Sequence, residues 1–496
     1  MGVILRQSIK GTLSNYLGVV LGAFSMLILF PKLLDPDQIG LIRVLQDIGL
    51  LMASLSQVGA INIIDRFYPY FHDEPLKNKG FVVFIIIYPL IGFVVISGLF
   101  FLFQNLWTTI YSQKSPLLLN YLIMLIPLSF FMLYQQILEA YARAVLRITI
   151  PIFVREVFLR ITMIAFLLLY ASNLISFELF VYSLIISYSL AVFILLFYLR
   201  HLKSIWIEHF NWTENKVILK DMLKYGGVIF FTGFVAVLSA RIDIVMLSAV
   251  SLEITGIYAI AFFMGTVIEM PKRALSQISI PLIAKGWKNN DLKSIKDIYQ
   301  KTSMAQTMIG VLMFTLLMAN LNDVFNVIPN SELYISGITV VFIIGLSRLI
   351  DMSTGLNAEV IVSSPFYKVS FYLTIFLGAS NILFNSLLIP KYGMEGAAIG
   401  TLLSFSIANI IRIIIVKVKT GMLPFSFSNL LVIAIGAGIL LIAYWINIGG
   451  SSLIGSLVII GIKSCIITGV FVFISYKLKF SPDLNAFIIK TLNLKS

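Results

Sequence analysis

The chain has 496 residues, of which 59% are hydrophobic and 12% charged, with a formal net charge of +13 and a mean hydropathy of +0.98. A soluble chain carries about twice that charged fraction, so the excess apolar surface requires lipid as a second solvent. The basic residues alternate between loops instead of forming one patch, which argues against a nucleic-acid partner. The single Cys465 excludes an internal disulfide and a thiolate metal centre, and His72, His201 and His209 all fall in predicted loops.

A hydrocarbon core of about 30 Å takes roughly 20 apolar residues per helix. In chain order, stretches of that length lie at 11–33, 39–64, 80–103, 116–138, 150–170, 175–199, 226–249, 254–281, 302–321, 333–356, 366–389, 394–416, 427–446 and 452–476. The expected fold class is an all-α polytopic membrane protein with about 14 transmembrane helices. Arg6 and Lys10 precede an apolar stretch too long for a signal-peptide core, so that stretch reads as a retained first helix. Placing the N-terminus inside puts most Lys and Arg in alternate loops, with only Lys32, Lys114 and Lys391 on the opposite side. That bias predicts both termini on the cytoplasmic side. No loop is long enough to fold as a soluble enzyme domain.

The first six helices resemble the next six. Tyr16-Leu17-Gly18-Val19 recurs as Tyr225-Gly226-Gly227-Val228. The loop Leu34-Asp35-Pro36-Asp37-Gln38-Ile39-Gly40 recurs as Leu252-Glu253-Ile254-Thr255-Gly256, and Pro151-Ile152-Phe153 as Pro365-Phe366-Tyr367. The offsets, 209, 216 and 214 residues, nearly agree. Two six-helix lobes in pseudo-two-fold repeat follow, with an N-lobe at 1–200, a cytoplasmic linker at 201–225 and a C-lobe at 226–419. Helices thirteen and fourteen and a cytoplasmic tail, 420–496, stand outside the repeat.

Asp243-Ile244-Val245-Met246-Leu247, followed by Glu253-Ile254-Thr255-Gly256-Ile257-Tyr258-Ala259, resembles the entry to the second lobe of the multidrug/oligosaccharidyl-lipid/polysaccharide exporter superfamily. So does Ile389-Pro390-Lys391-Tyr392-Gly393-Met394-Glu395-Gly396-Ala397-Ala398-Ile399-Gly400-Thr401. Within it the chain looks most like the polysaccharide (O-antigen type) lipid-linked oligosaccharide flippases. The resemblance implies a flippase and no enzyme. It would move a polyprenyl-pyrophosphate-linked oligosaccharide across the bacterial inner membrane by alternating access, for lipopolysaccharide and other surface polysaccharide export. Membrane lipids and a polysaccharide polymerase are the partners that such a role implies.

Charges inside the membrane cost several kcal/mol unless paired or hydrated. Arg43, Gln46, Asp47, Ser54 and Gln57 share one face of helix two, so that face does not meet lipid. Either Arg43 and Asp47 neutralise each other, or they line a hydrated cavity that takes an anionic substrate. Arginine suits a pyrophosphate because its planar fork stays charged and binds oxygens in pairs. The expected substrate-binding residues are Arg43, Asp47, Gln57, Arg241 and Arg348. Arg412 is expected to reach the interface and Lys463 to serve the appended helices. Glu269, Lys272 and Arg273 read as the end of helix eight, and Glu139 and Arg143, one turn apart, as a pair.

In the lipid II flippases of this superfamily, a sodium ion is held by one Asp, an Asn/Asp pair four residues apart, a backbone carbonyl and a Thr. Asp243, Asn381, Asn385, Ala397 and Thr401 match that spacing, with Asn385 where the family has an acid. The resemblance therefore implies a cation site at these five residues. Sodium, a proton at Asp243, and an Asp243 ion pair without coupling all stay open. A multidrug/cation antiporter and a membrane glycosyltransferase or ligase are the alternative functions. Arginines in place of acidic cavities disfavour the first, and the short outer loops disfavour the second.

Overall fold

A computed structural model describes residues 2–71, 80–202, 216–446, 450 and 452–480. His72, His209 and the linker residues 203–215 lie outside these, as does the side chain of Arg273. Every regular element among the described residues is helical. Twelve helices are long and apolar enough to cross a membrane. One of them, Lys368–Thr420, contains two spans. Thr149–Phe153, Val154–Phe158 and Leu159–Ala171 run on as a further helix, whose Arg155, Glu156 and Arg160 keep it out of an apolarity count. The fourteen expected helices are all present in this all-helical polytopic membrane protein.

Lys368–Thr420 turns at Gly393, whose φ of 56° and ψ of −128° lie outside the helical region. In a straight helix residues 385 and 400 would stand about 22 Å apart. Here a Cβ placed on Gly400 would overlap the Asn385 side chain, and one on Gly396 would overlap the Leu388 carbonyl. The segment is therefore a hairpin of helices eleven and twelve. Gly393 supplies a backbone conformation closed to other residues, while Gly396 and Gly400 let the two arms touch.

The chain forms two compact units, Met1–Gly256 and Ile257–Ser496. In the first unit, two helices are broken. Helix two starts at Pro36 behind a capping box, in which the Asp35 amide donates to Gln38 Oε1 at 3.1 Å. It runs Pro36–Ser56, breaks where Val58 and Gly59 take positive φ, and resumes as Ala60–Phe71. Tyr88 satisfies the carbonyl of Val58 that the break frees, donating at 2.9 Å. Helix seven runs Lys216–Ser239 and restarts as Ile242–Ser248, with Arg241 at the junction.

In the second unit, helix eight does not end at Glu269–Arg273. It continues from Leu252–Thr266 through Val267–Glu269 into Met270–Lys288, because Pro271 sits in the first turn of that last piece, where a missing N–H costs nothing. An apolar core of Met304, Met308, Val311, Phe314 and Met352 includes Val432 and Ile439 of helix thirteen and Ile467 and Phe471 of helix fourteen. Lys463 is bound to Asp323 at 2.7 Å, which ties helix fourteen to the short helix Leu321–Val327.

Candidate functional site

The break in helix seven and the polar face of helix two meet in the first unit. Asp47 is 3% exposed at its side chain and receives two arginines. Arg241 Nη1 lies 3.1 Å from Oδ1, and Arg43 Nε lies 3.3 Å from Oδ2. The Arg43 contact is an ion pair without hydrogen-bond geometry, since neither of its two atoms has a hydrogen-bond partner. The arginine side chains are 29% and 30% exposed, with the Arg43 Nε itself buried against the acid. Asp243, 2% exposed, accepts from the Ile244 amide at 3.0 Å and is a further electrostatic neighbour of Arg43. Tyr188 of helix six, Phe177–His201, is an electrostatic neighbour of Arg43, Asp47, Arg160 and Arg241. Gln57 stands at the break of helix two, where its Oε1 is buried without a hydrogen-bond partner. Two partly exposed arginines that share one buried carboxylate, with Asp243 as a second acid beside them, keep N–H donors beyond the pairing that can bind an oxyanion.

Arg160, Arg155 and Arg143 of this unit are anchored. Arg160 holds Glu156 at 2.7 Å and lies against Gly18 and Gly22 of helix one. Glu139 pairs with Arg155 and not, as its spacing suggests, with Arg143, which instead makes two bonds to Asp65 at 3.0 and 3.1 Å. Tertiary partners displaced the one-turn pairing because a helical i,i+4 ion pair contributes only about 0.3–0.5 kcal/mol.

Four of the expected cation ligands occur together in the second unit, on the hairpin of helices eleven and twelve. Asn381, Asn385 and Ala397 are fully buried and Thr401 is 2% exposed. Both polar atoms of the Asn385 amide and the Thr401 hydroxyl lack hydrogen-bond partners. Buried orphan oxygens are costly and mark a place for a bound group, and an oxygen-only donor set suits a hard cation. Asp243, the expected acidic member, belongs to the first unit. No cluster of three or more His, Cys, Asp or Glu side chains able to hold a metal occurs among the described residues.

Arg348 is 7% exposed. It is bound to Glu269 at 3.1 Å and stacked over Phe405 at 4.8 Å and Phe262 at 5.6 Å. One turn on, Lys272 holds Asp351 at 2.5 Å. The two helices thus carry complementary pairs, Glu269/Lys272 against Arg348/Asp351, at the same three-residue spacing. Asn409 donates to the second oxygen of Asp351 at 2.9 Å and accepts from Asn357 at 3.0 Å and Arg412 at 3.1 Å. Arg412 therefore joins a polar network through Asn409. Glu269, Lys272, Ser276, Gln277, Asp351 and Glu359 line a cavity of about 440 Å³. Asp351 and Glu359 were not singled out in the sequence. The signal for Asp351 was the reversed order of charges at equal spacing on helices eight and ten.

No protein-family model matches the chain, and neither does any curated protein. Solved structures do match. The chain is similar to the lipid II flippase MurJ in an inward closed conformation, at 15% identity over 96% of this chain and 100% of that one, with a TM-score of 0.75. It is similar to a multidrug resistance MATE family transporter of the MOP superfamily in an inward-facing conformation, at 15% identity over 81% and 94%, with a TM-score of 0.65. A MOP superfamily transporter from Pyrococcus furiosus, described by a binding pocket of reversed polarity, matches at 15% identity over 84% and 95%, with a TM-score of 0.51. The chain thus has the multi-pass fold that MurJ shares with the MATE transporters of the MOP superfamily.

Proposed function

We propose that this protein is a transporter that carries a polyprenyl-pyrophosphate-linked oligosaccharide across the bacterial inner membrane by alternating access, supplying surface polysaccharide such as O-antigen. The observation that carries the reading is the pairing of Arg43 and Arg241 with the single buried Asp47. A lone intramembrane carboxylate and one arginine would neutralise each other. A second arginine on the same carboxylate brings two guanidinium forks together, and such forks bind phosphate oxygens in pairs. The similarity to a lipid II flippase supports a lipid-linked cargo. Coupling to Na⁺ or H⁺ is part of the same proposal, with Asn385 and Thr401 as cation ligands on the hairpin. Both termini would lie in the cytoplasm, and a polysaccharide polymerase would take the product.

Depleting the protein in its native host tests the reading. Lipid-linked repeat units should accumulate on the inner leaflet while surface glycan falls. Unchanged surface glycan without accumulation would refute it. The competing reading is a drug/cation antiporter, and the acid-rich cavity around Glu359 is the observation in its favour. Drug sensitivity on depletion, with surface glycan intact, would select that reading.

A further inference from the structure

The cavity in Ile257–Ser496 has a lining opposite in chemistry to the Asp47 site. Three carboxylates, Glu269, Asp351 and Glu359, face one lysine, one serine and one glutamine. Two of the acids are spoken for, because Arg348 holds Glu269 and Lys272 holds Asp351. Asn409 occupies the other oxygen of Asp351. Glu359 differs. Its Oε1 accepts from the Ser276 hydroxyl at 2.9 Å, and its Oε2 is buried without a hydrogen-bond partner. Arg412 is a cation within electrostatic range of both Asp351 and Glu359, but the Arg412 guanidinium is engaged with Asn409.

A carboxylate can accept several hydrogen bonds, and Glu359, which lines the cavity, has one hydroxyl donor in Ser276. The ligand chemistry is narrow. A phosphate would meet unfavourable charge from three acids. A neutral polyol supplies hydroxyl donors to a carboxylate with no net charge brought in, and Ser276 and Gln277 can both donate and accept. The volume, about 440 Å³, falls within the range of about 300–1,000 Å³ common for small-ligand sites.

We infer that this cavity is a saccharide subsite, in which Glu359, with Ser276 and Gln277 beside it, accepts the hydroxyls of a sugar ring of the cargo. The inference rests on the transport reading. The rigid pairs Glu269–Arg348 and Lys272–Asp351 hold the walls.

The test uses the full chain in lipid nanodiscs, with affinities from calorimetry. The probes are a free hexose trisaccharide, inorganic pyrophosphate and tetraphenylphosphonium. Trp287 reports on location, since its Nε1 donates to the carbonyl of Val360, next to Glu359, at 3.2 Å. The trisaccharide should bind and change fluorescence, and Trp287→Phe should remove the change. Glu359→Gln should weaken trisaccharide binding about tenfold or more, because a charge-assisted acceptor is lost. Ser276→Ala should weaken it less, and neither should alter pyrophosphate binding or thermal unfolding. Equal trisaccharide affinity in wild type and Glu359→Gln overturns the subsite. So does pyrophosphate binding that depends on Arg43 with no trisaccharide binding, an outcome that leaves the transport reading standing. Glu359-dependent binding of tetraphenylphosphonium in place of the sugar overturns both. Glu359-dependent sugar binding without pyrophosphate binding upholds the subsite and removes only the pyrophosphate assignment.

Discussion

Gly40 and Gly256 touch backbone to backbone in a reciprocal way. A Cβ on Gly40 would overlap the Leu252 carbonyl and lie 3.0 Å from the Gly256 amide nitrogen. A Cβ on Gly256 would overlap the Pro36 carbonyl and lie 3.0 Å from the Gly40 nitrogen. Each glycine thus meets the residue four positions before the other. These are the equivalent glycines of the repeated loop.

Because the overlapping atoms are backbone, nothing nearby can rotate away. Gly40→Ala and Gly256→Ala should each lower thermal stability in nanodiscs, by about 1–3 kcal/mol or more for such overpacking. Gly233→Ala is the control. Nothing lies within 4 Å of its Cβ position, so stability should hold or rise slightly.

The arginine pair should separate binding from folding. Arg43→Ala and Arg241→Ala each leave Asp47 one cation, so both variants should insert normally while surface glycan falls. Asp47→Ala leaves two cations without their buried acid and should reduce the amount of folded protein as well. Immunoblots of the membrane fraction beside surface-glycan gels distinguish the two classes. Full export by both arginine variants would remove the anion-binding assignment.

The orphan oxygens of the hairpin give a cation test that needs no transport assay. If Na⁺ occupies them, sodium chloride should raise the melting temperature over choline chloride, and Asn385→Leu and Thr401→Val should abolish the difference. The apolar variants should themselves be folded, since the groups they remove have no hydrogen-bond partner.

Asp323 and Lys463 anchor helix fourteen through one buried pair, and Asp323 also accepts from the Gly450 amide at 3.1 Å. Lys463→Met alone strands the carboxylate and should destabilise the protein by about 3–5 kcal/mol. Lys463→Met with Asp323→Leu should recover much of that loss. Thermal unfolding of the two variants gives the comparison.

The fourteen spans were legible because twenty apolar residues in a row have one solvent open to them, and hydrocarbon length sets how long each run must be. The polar stripe of helix two was legible because helical spacing is local. Which charge meets which was not. Glu139 chose Arg155 over Arg143, Arg348 was consumed by Glu269, and Asp351 and Glu359 entered a cavity only when helix eight ran on past Pro271. Ion-pair partners come from helices far apart in the chain, and one-turn spacing contributes too little energy to dictate them. The break at Val58–Gly59, beside Gln57, was also decided by tertiary packing, since Tyr88 of another helix takes up the freed Val58 carbonyl. The sequence by itself determined the solvent and the spans; the folded chain decided that two arginines share Asp47 while Glu359 lines a cavity with Asp351.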